Sequence, residues 1–271
     1  MSGVTVITGA SRGLGVAIAR SLAKPDTTLV LAARDEAGLN ETANVVRSVG
    51  VRVKIVPVDL SKSSDQEALI AAAENEGPID IFINNVAVEY PLPVTEQSAA
   101  DVQRQIELNL LTPILLTRRV LPGMIARKRG TVCMMSSMAG KSPTPYDAIY
   151  AATKHGLNGF VESVRFELSG TGVHIGVVCP SFVAESGMWM NGGIKAPMMM
   201  REVSVEKVVK GVRLVLAGKS EVLVTPGPVR PLLALAQLFP GANPTVLRAL
   251  GVVDVMRRRA LAEGKKRSEL S

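Results

Sequence analysis

The chain has 271 residues, 47% hydrophobic and 20% charged, which suits one α/β domain, or at most two small ones, with ample core material. Aromatics make up 3%, too few for a base-stacking surface, and two cysteines with two histidines offer neither a disulfide framework nor a zinc cluster, so no metal site is expected. The net charge of +7 is a property of the tail: eight of the 31 basic and three of the 24 acidic residues fall within Arg230–Ser271, the body carries the remaining +2, and no nucleic-acid partner is expected.

Short apolar runs alternate with amphipathic segments. Val4–Thr8, Thr28–Ala33, Arg52–Val58, Ile79–Asn84, Gly130–Ser136, His174–Cys179 and Glu221–Thr225 read as strands. Leu14–Lys24, Ala37–Gly50, Ser64–Glu76, Ser98–Arg127, Tyr150–Leu168 and Ser204–Ala217 read as helices between them. Strands without polar alternation are buried on both faces, and helical crossovers make them parallel. The expected fold is α/β: a Rossmann-like doubly wound parallel sheet in three αβα layers. Residues 1–228 form that domain, with a substrate lid at about 182–203, and 229–271 form a C-terminal helical extension and basic tail. No basic leader precedes the first strand, and no apolar stretch reaches the roughly 18 residues of a membrane span. Cys133 and Cys179 lie in apolar runs and are expected to be buried thiols in a reducing, cytoplasmic setting.

The first strand runs into Thr8-Gly9-Ala10-Ser11-Arg12-Gly13-Leu14-Gly15 and then a helix. Glycines there allow a tight turn and close backbone approach, and the helix N-terminus offers free N–H groups to a pyrophosphate. At the end of the second strand, Arg34 precedes Asp35. An arginine there accommodates the 2′-phosphate of NADP, an acid the ribose hydroxyls of NAD. Arg12 can reach the same phosphate, so NADP(H) is the expected cofactor and NAD the alternative. Asp59 ends the third strand, where it can take an adenine amino group or, like Ser61 or Ser63, cap the next helix.

Tyr150 and Lys154 lie one helical turn apart, thirteen residues after Ser137. A tyrosine titrates near pH 10, and a neighbouring ammonium with an oxidised nicotinamide favours its phenolate, which suits proton transfer to a carbonyl oxygen. A serine hydroxyl can stabilise the charge on that oxygen. Ser136 is the competing hydroxyl, and His155 points about 100° away around the helix. Asn109, a poor helix former, sits inside a long helical segment.

Thr8-Gly9-x3-Gly13-x-Gly15, Asn84-Asn85, Asn109, Ser137 and Tyr150-x3-Lys154, in that order, resemble the short-chain dehydrogenase/reductase family over about residues 3–228. The resemblance implies an oxidoreductase with Asn109, Ser137, Tyr150 and Lys154 as catalytic tetrad. Lys154 would also hold the nicotinamide ribose, and Asn109 would help hold a water that passes protons to Lys154, unless it is a kink residue only. Cofactor contacts would come from Gly9, Ser11, Arg12, Gly13, Leu14, Arg34, Asp59, Leu60, Asn85, Val86, Ala87, Tyr150, Lys154, Pro180 and Val183. The chain departs from the family at Val86-Ala87, which add bulk near the adenosine ribose, and at Glu185, which replaces a threonine and is expected to turn outward.

The substrate is expected to be a lipophilic carbonyl or secondary alcohol: ketoacyl, steroid-like or terpenoid. Ser137 and Tyr150 would meet its oxygen, and Phe182, Met188 and Trp189, in a methionine-rich loop, would meet its apolar body. The apolar stretch Leu232–Phe239, the spaced Val246, Leu247, Leu250, Val253 and Met256, and the basic Arg257–Arg259 and Lys265–Arg267 fit a lid, a homodimer or homotetramer contact, or peripheral attachment to an anionic membrane. Two other functions compete: a nucleotide sensor without turnover, and a peripheral membrane protein with residual redox activity.

Overall fold

Strands β1 (Val4–Thr8), β2 (Thr28–Ala33), β3 (Arg52–Pro57), β4 (Ile79–Asn84), β5 (Gly130–Met135), β6 (Val173–Pro180) and β7 (Glu221–Val224) form one parallel sheet in the order β3-β2-β1-β4-β5-β6-β7. The computed structural model describes residues 3–184, 196 and 201–269. The order reverses between β1 and β4. The carboxyl ends of these strands therefore open a crevice there, because the connections leave in opposite directions.

Helices α1 (Leu14–Leu22), α2 (Glu36–Arg47) and α7 (Val205–Leu216) cover one face of the sheet. Ile18, Leu39, Ala43, Val208 and Val212 bury there against Ile7, Leu29 and Leu31. The other face takes α3 (Ser63–Glu76), α5 (Thr112–Ala126) and α6 (Ala148–Glu167), where Leu69, Leu116, Val120, Leu157 and Val161 meet Val4, Val6, Val30 and Phe82. Neighbouring strand residues serve opposite layers, which is why the central strands read as unbroken apolar runs. The expectation of burial on both faces fails at the edge: Arg52, Lys54 and Pro57 of β3 are exposed, since nothing pairs with the strand's outer side.

The single helix expected over Ser98–Arg127 is three segments: α4 (Ala99–Ile106), a π-helical turn at Glu107–Leu111, and α5. A π-turn inserts one residue and rotates the following face. Asn109 lies within it, with its side chain spent on the backbone of Val88 (below).

The tail folds as α8 (Arg230–Leu238), α9 (Asn243–Ala249) and α10 (Val252–Ser268). Gly251, at φ 72°, breaks the apolar repeat between the last two. Val252, Val255 and Met256 bury with Tyr146, Phe182, Leu247 and Leu250. Arg267 of α10 bonds Asp101 of α4 at 2.6 Å and stacks over Tyr90 at 4.9 Å. α10 is thereby tied to the main body, whereas α8 buries no residue. Among the described residues, no helix is long and apolar enough to cross a membrane.

Candidate active site

The crevice has a volume of about 850 Å³ and is lined from β1 through the tail. Its floor is the glycine turn. Gly9 and Gly13 hold φ of 66° and 61°, a region side chains rarely adopt, and a methyl group on Gly15 would collide with the Gly9 carbonyl. α1 starts at Gly13 without a side-chain cap, which leaves its first N–H groups for a ligand oxygen. Asn85 staples this turn to β4: its backbone N–H donates to Thr8 Oγ1 at 2.9 Å and its side chain to Thr8 O at 3.0 Å. Ser11, Leu14, Val86, Ala87 and Leu60 share the wall.

Arg12 and Arg34 are exposed at one end of the crevice. Asp35 also lines it, but accepts from Gly38 N at 3.1 Å and caps α2. Its carboxylate is engaged by the helix, while both guanidiniums remain at the mouth. Asp59 accepts from the Ser61 hydroxyl at 2.8 Å and backbone N–H at 3.2 Å. Burial raises its pKa, but those bonds, with the nearby Arg34 charge, bring it below the ordinary value. The N-cap of α3 is Lys62, so neither Asp59, Ser61 nor Ser63 caps that helix.

At the other end, Ser137, Tyr150 and Lys154 converge. Ser137 lies just past β5, capping the turn at Met138–Gly140, and accepts from Ala139 N at 3.1 Å; its hydroxyl is also within hydrogen-bond reach of Tyr150. Ser136 also lines the crevice, but its hydroxyl is buried and donates to Lys154 O at 3.4 Å. Lys154 is 1% exposed, donates to Met135 O at 2.9 Å, and lies 5.4 Å from the Tyr150 ring centre. Burial lowers its pKa from 10.5 to about 8. Against the expected pull toward phenolate, the protein itself sets burial and then the neighbouring Glu89 and Asp147, which push Tyr150 above its ordinary value over the smaller opposing effects of Ser137 and Arg259. His155 is turned out onto Ala151 O at 2.9 Å, as the helical angle requires.

Asn109 does not line the crevice. Its Oδ1 accepts from Val88 N at 2.8 Å and its Nδ2 donates to Val88 O at 2.7 Å, with Thr153 Oγ1 at 3.4 Å. The side chain thus fixes the loop after β4. Pro180, Phe182 and Val183 follow β6 along the wall, and Val183 is held by a bridge to Val203. Ser181 Oγ, also lining the crevice, is buried without a hydrogen-bond partner. Glycine cradle, free helix N-terminus, two guanidiniums at the mouth and an orphaned hydroxyl together fit a phosphorylated dinucleotide. The expected substrate residues Met188 and Trp189, and the departure at Glu185, lie outside the described residues. Cys133 and Cys179 are buried free thiols with pKa values pushed to about 12 by burial.

Sequence reasoning missed Glu89, Asp147 and Arg259, which line the crevice beside Tyr150, and Val252, which closes its apolar end with Leu247 and Met256, two members of the spaced apolar face offered as a lid. Arg259 donates to both Glu89 oxygens, at 2.7 and 3.0 Å, with side chains only 5% and 9% exposed. A signal existed: position 259 continues the helical stripe 252, 255, 256, while Arg257 and Arg258 are exposed.

The sequence profile described as short chain dehydrogenase matches residues 3–196. "Ketoacyl reductase HetN" of Nostoc sp. is 37% identical over 268 residues, covering 96% of this chain and 93% of that protein. A putative ketoacyl reductase of Streptomyces coelicolor is 35% identical over 67% of this chain and 71% of its own length. Among solved structures, a metagenomic short-chain oxidoreductase in complex with NADP superimposes with a TM-score of 0.71 at 32% identity, covering 83% of this chain and 97% of that one. Actinorhodin polyketide ketoreductase (F189W) with NADPH gives 0.76 at 27% identity, with the same coverage.

Proposed function

Because this chain belongs to the short-chain dehydrogenase/reductase family, we propose that it is an NADP(H)-dependent oxidoreductase that interconverts a lipophilic ketone and its secondary alcohol, with a ketoacyl compound as the leading substrate class. The observation that carries this reading is the convergence of Ser137, Tyr150 and Lys154 in the crevice whose other end is the glycine cradle with Arg12 and Arg34. NADPH, when bound, supplies the hydride. The turn at Gly9–Gly15 and the first turn of α1 hold its pyrophosphate, Arg12 and Arg34 its 2′-phosphate, and Lys154 its nicotinamide ribose.

Tyr150 passes its proton to the alkoxide oxygen that forms on the substrate, and Ser137 donates a hydrogen bond to that oxygen. Burial makes Tyr150 a proton donor held in its neutral form, which suits reduction. Lys154, buried behind the ring, moderates the cost of the phenolate left after transfer. Asn109 acts one step back, by holding Val88 and the loop that follows. The ketoacyl class is favoured by the names of the relatives and by the apolar end at Phe182, Leu247, Val252 and Met256.

Residues 1–228 form the catalytic domain in this reading, and 229–271 an extension whose last helix walls the substrate end. A second reading concerns α8. Leu235, Leu238 and Phe239 are 54%, 73% and 60% exposed, which favours a contact outside the protomer, with an anionic membrane or a second copy.

The test is Tyr150→Phe assayed with NADPH and a panel of ketoacyl thioesters, steroids and terpenoid ketones. Turnover is expected to fall at least about a hundredfold while NADPH binding stays. Turnover within a few-fold of wild type would remove Tyr150 from the proposed role.

A further inference from the structure

Three elements with no common purpose in the sequence meet behind Tyr150. Glu89 comes from the loop after β4 that Asn109 holds in place. Asp147 ends the turn before α6, one helical turn from Tyr150, and is 1% exposed. Arg259 arrives from α10, in the tail, with its bidentate pair to Glu89. If both carboxyls were ionised, neither Asp147 oxygen would have a donor. With one proton on the pair, Asp147 donates to the ionised Glu89, and Arg259 neutralises the charge that remains. The directions of titration agree: burial and the neighbouring Glu89 push Asp147 well above the ordinary carboxyl range, while on Glu89 burial is outweighed by Arg259 together with Asp147 and Lys154, which hold it below its own.

We propose that the C-terminal helix completes the catalytic centre, with Arg259 a positioning residue that fixes the charge beside Tyr150 through its buried bidentate bond to Glu89. Tyr150 is faced by Ser137 from the turn after β5, Lys154 from its own helix, Glu89 from the β4 loop, Asp147 from the preceding turn, and Arg259 from α10. Glu89 also lies near Lys154, so its charge reaches both groups that handle the proton. Without Arg259, an uncompensated buried carboxylate would stand behind Tyr150 and oppose the phenolate that proton transfer leaves. Breaking one side of a buried pair is the costly change, whereas removing both charges together is far milder. The bond also latches α10, whose Val252 and Met256 wall the apolar end, so the tail would shape that end and set the electrostatics of the chemistry at once.

This rests on the proposed role of Tyr150, and the experiment separates the two. Ketone reduction is followed against pH at saturating NADPH for wild type, Arg259→Met, Arg259→Lys and the double variant Glu89→Gln with Arg259→Met. Tyr150→Phe runs alongside, and NADPH affinity is read by fluorescence. Arg259→Met is expected to lower kcat at least about tenfold at alkaline pH with little change in NADPH affinity. Its activity should recover as pH falls, because a proton on Glu89 removes the uncompensated charge, a step the wild type lacks. The double variant should regain most of that loss and show no such step. Arg259→Lys, which keeps the charge without the fork, should follow the wild-type profile, and with the double variant it carries the test if Arg259→Met does not fold. A wild-type pH profile in Arg259→Met, a double variant as impaired as the single one, or the new step in Arg259→Lys would overturn the proposal. In each of those cases a Tyr150→Phe enzyme that stays inactive leaves the proposed function standing; a Tyr150→Phe enzyme that turns over removes both.

Discussion

Tyr150 and Lys154 are placed by one turn of helix, but what each can do is decided by what is packed around them. The lysine loses its water and drops to about 8; the tyrosine, beside two carboxyls, rises. The sign of the lysine effect is testable. Below pH 8 the ammonium is present and can donate to a ribose hydroxyl; above it the charged form disappears. NADPH affinity should therefore weaken as pH rises through about 8 in the wild type, and the step should be absent in Lys154→Ala. A charge-assisted hydrogen bond contributes on the order of 1.5–3 kcal/mol, which corresponds to about a tenfold to 150-fold loss. Fluorescence titration from pH 7 to 9.5 reads it; a flat wild-type curve would reject the ribose contact. At this scale the sequence was readable for Gly13, and for Tyr150 with Lys154, because a backbone turn or a helical turn places them locally, whereas Ser137 was singled out by the family resemblance. Asp147 and Glu89 were not, since an acid looks the same in sequence whether solvated or buried.

Elements show the same division. Short apolar runs found the strands and period-3.6 patterns most helices within a few residues, because each element's burial is written in its own sequence. The π-turn at Glu107–Leu111 was signalled only by Asn109 as a poor helix former, since an inserted residue changes the phase of a long apolar helix without a proline or glycine within the turn to mark it. The break has a use, since it aims Asn109 at both backbone groups of Val88. The tail was read as a whole, as a lid, a subunit contact or a membrane attachment, and it separates into two unlike parts. α10 packs on the site, whereas α8 leaves Leu232, Leu235 and Leu238 exposed. If α8 contacts an anionic membrane, the protein should sediment with phosphatidylserine-containing vesicles, and Leu235→Glu with Leu238→Glu should abolish this without altering ketone reduction. Failure of the wild type to sediment, with a concentration-dependent mass in sedimentation velocity lost in the same variant, would assign the patch to a second copy.

For the whole molecule, the crevice joins elements from β1 to α10, so filling it should stabilise the fold as a unit. A ligand that binds only the folded state adds about 2.7 kcal/mol at a hundred times its Kd. NADPH should raise the thermal midpoint more than equimolar NADH, and the difference should vanish in Arg12→Ala with Arg34→Asp, read by differential scanning fluorimetry. An equal response of the wild type to both cofactors would overturn the phosphate assignment. The amino-acid sequence alone determined the doubly wound sheet, the glycine turn and the one-turn spacing of Tyr150 and Lys154. Apolar periodicity, glycine geometry and one helical turn are short-range properties that need no knowledge of distant neighbours. Only the tertiary structure decided that Arg259 pairs with Glu89, 170 residues before it, beside Tyr150. Burial and charge pairing are set by whatever the completed fold brings into contact, and the sequence around Arg259 carries no record of its partner.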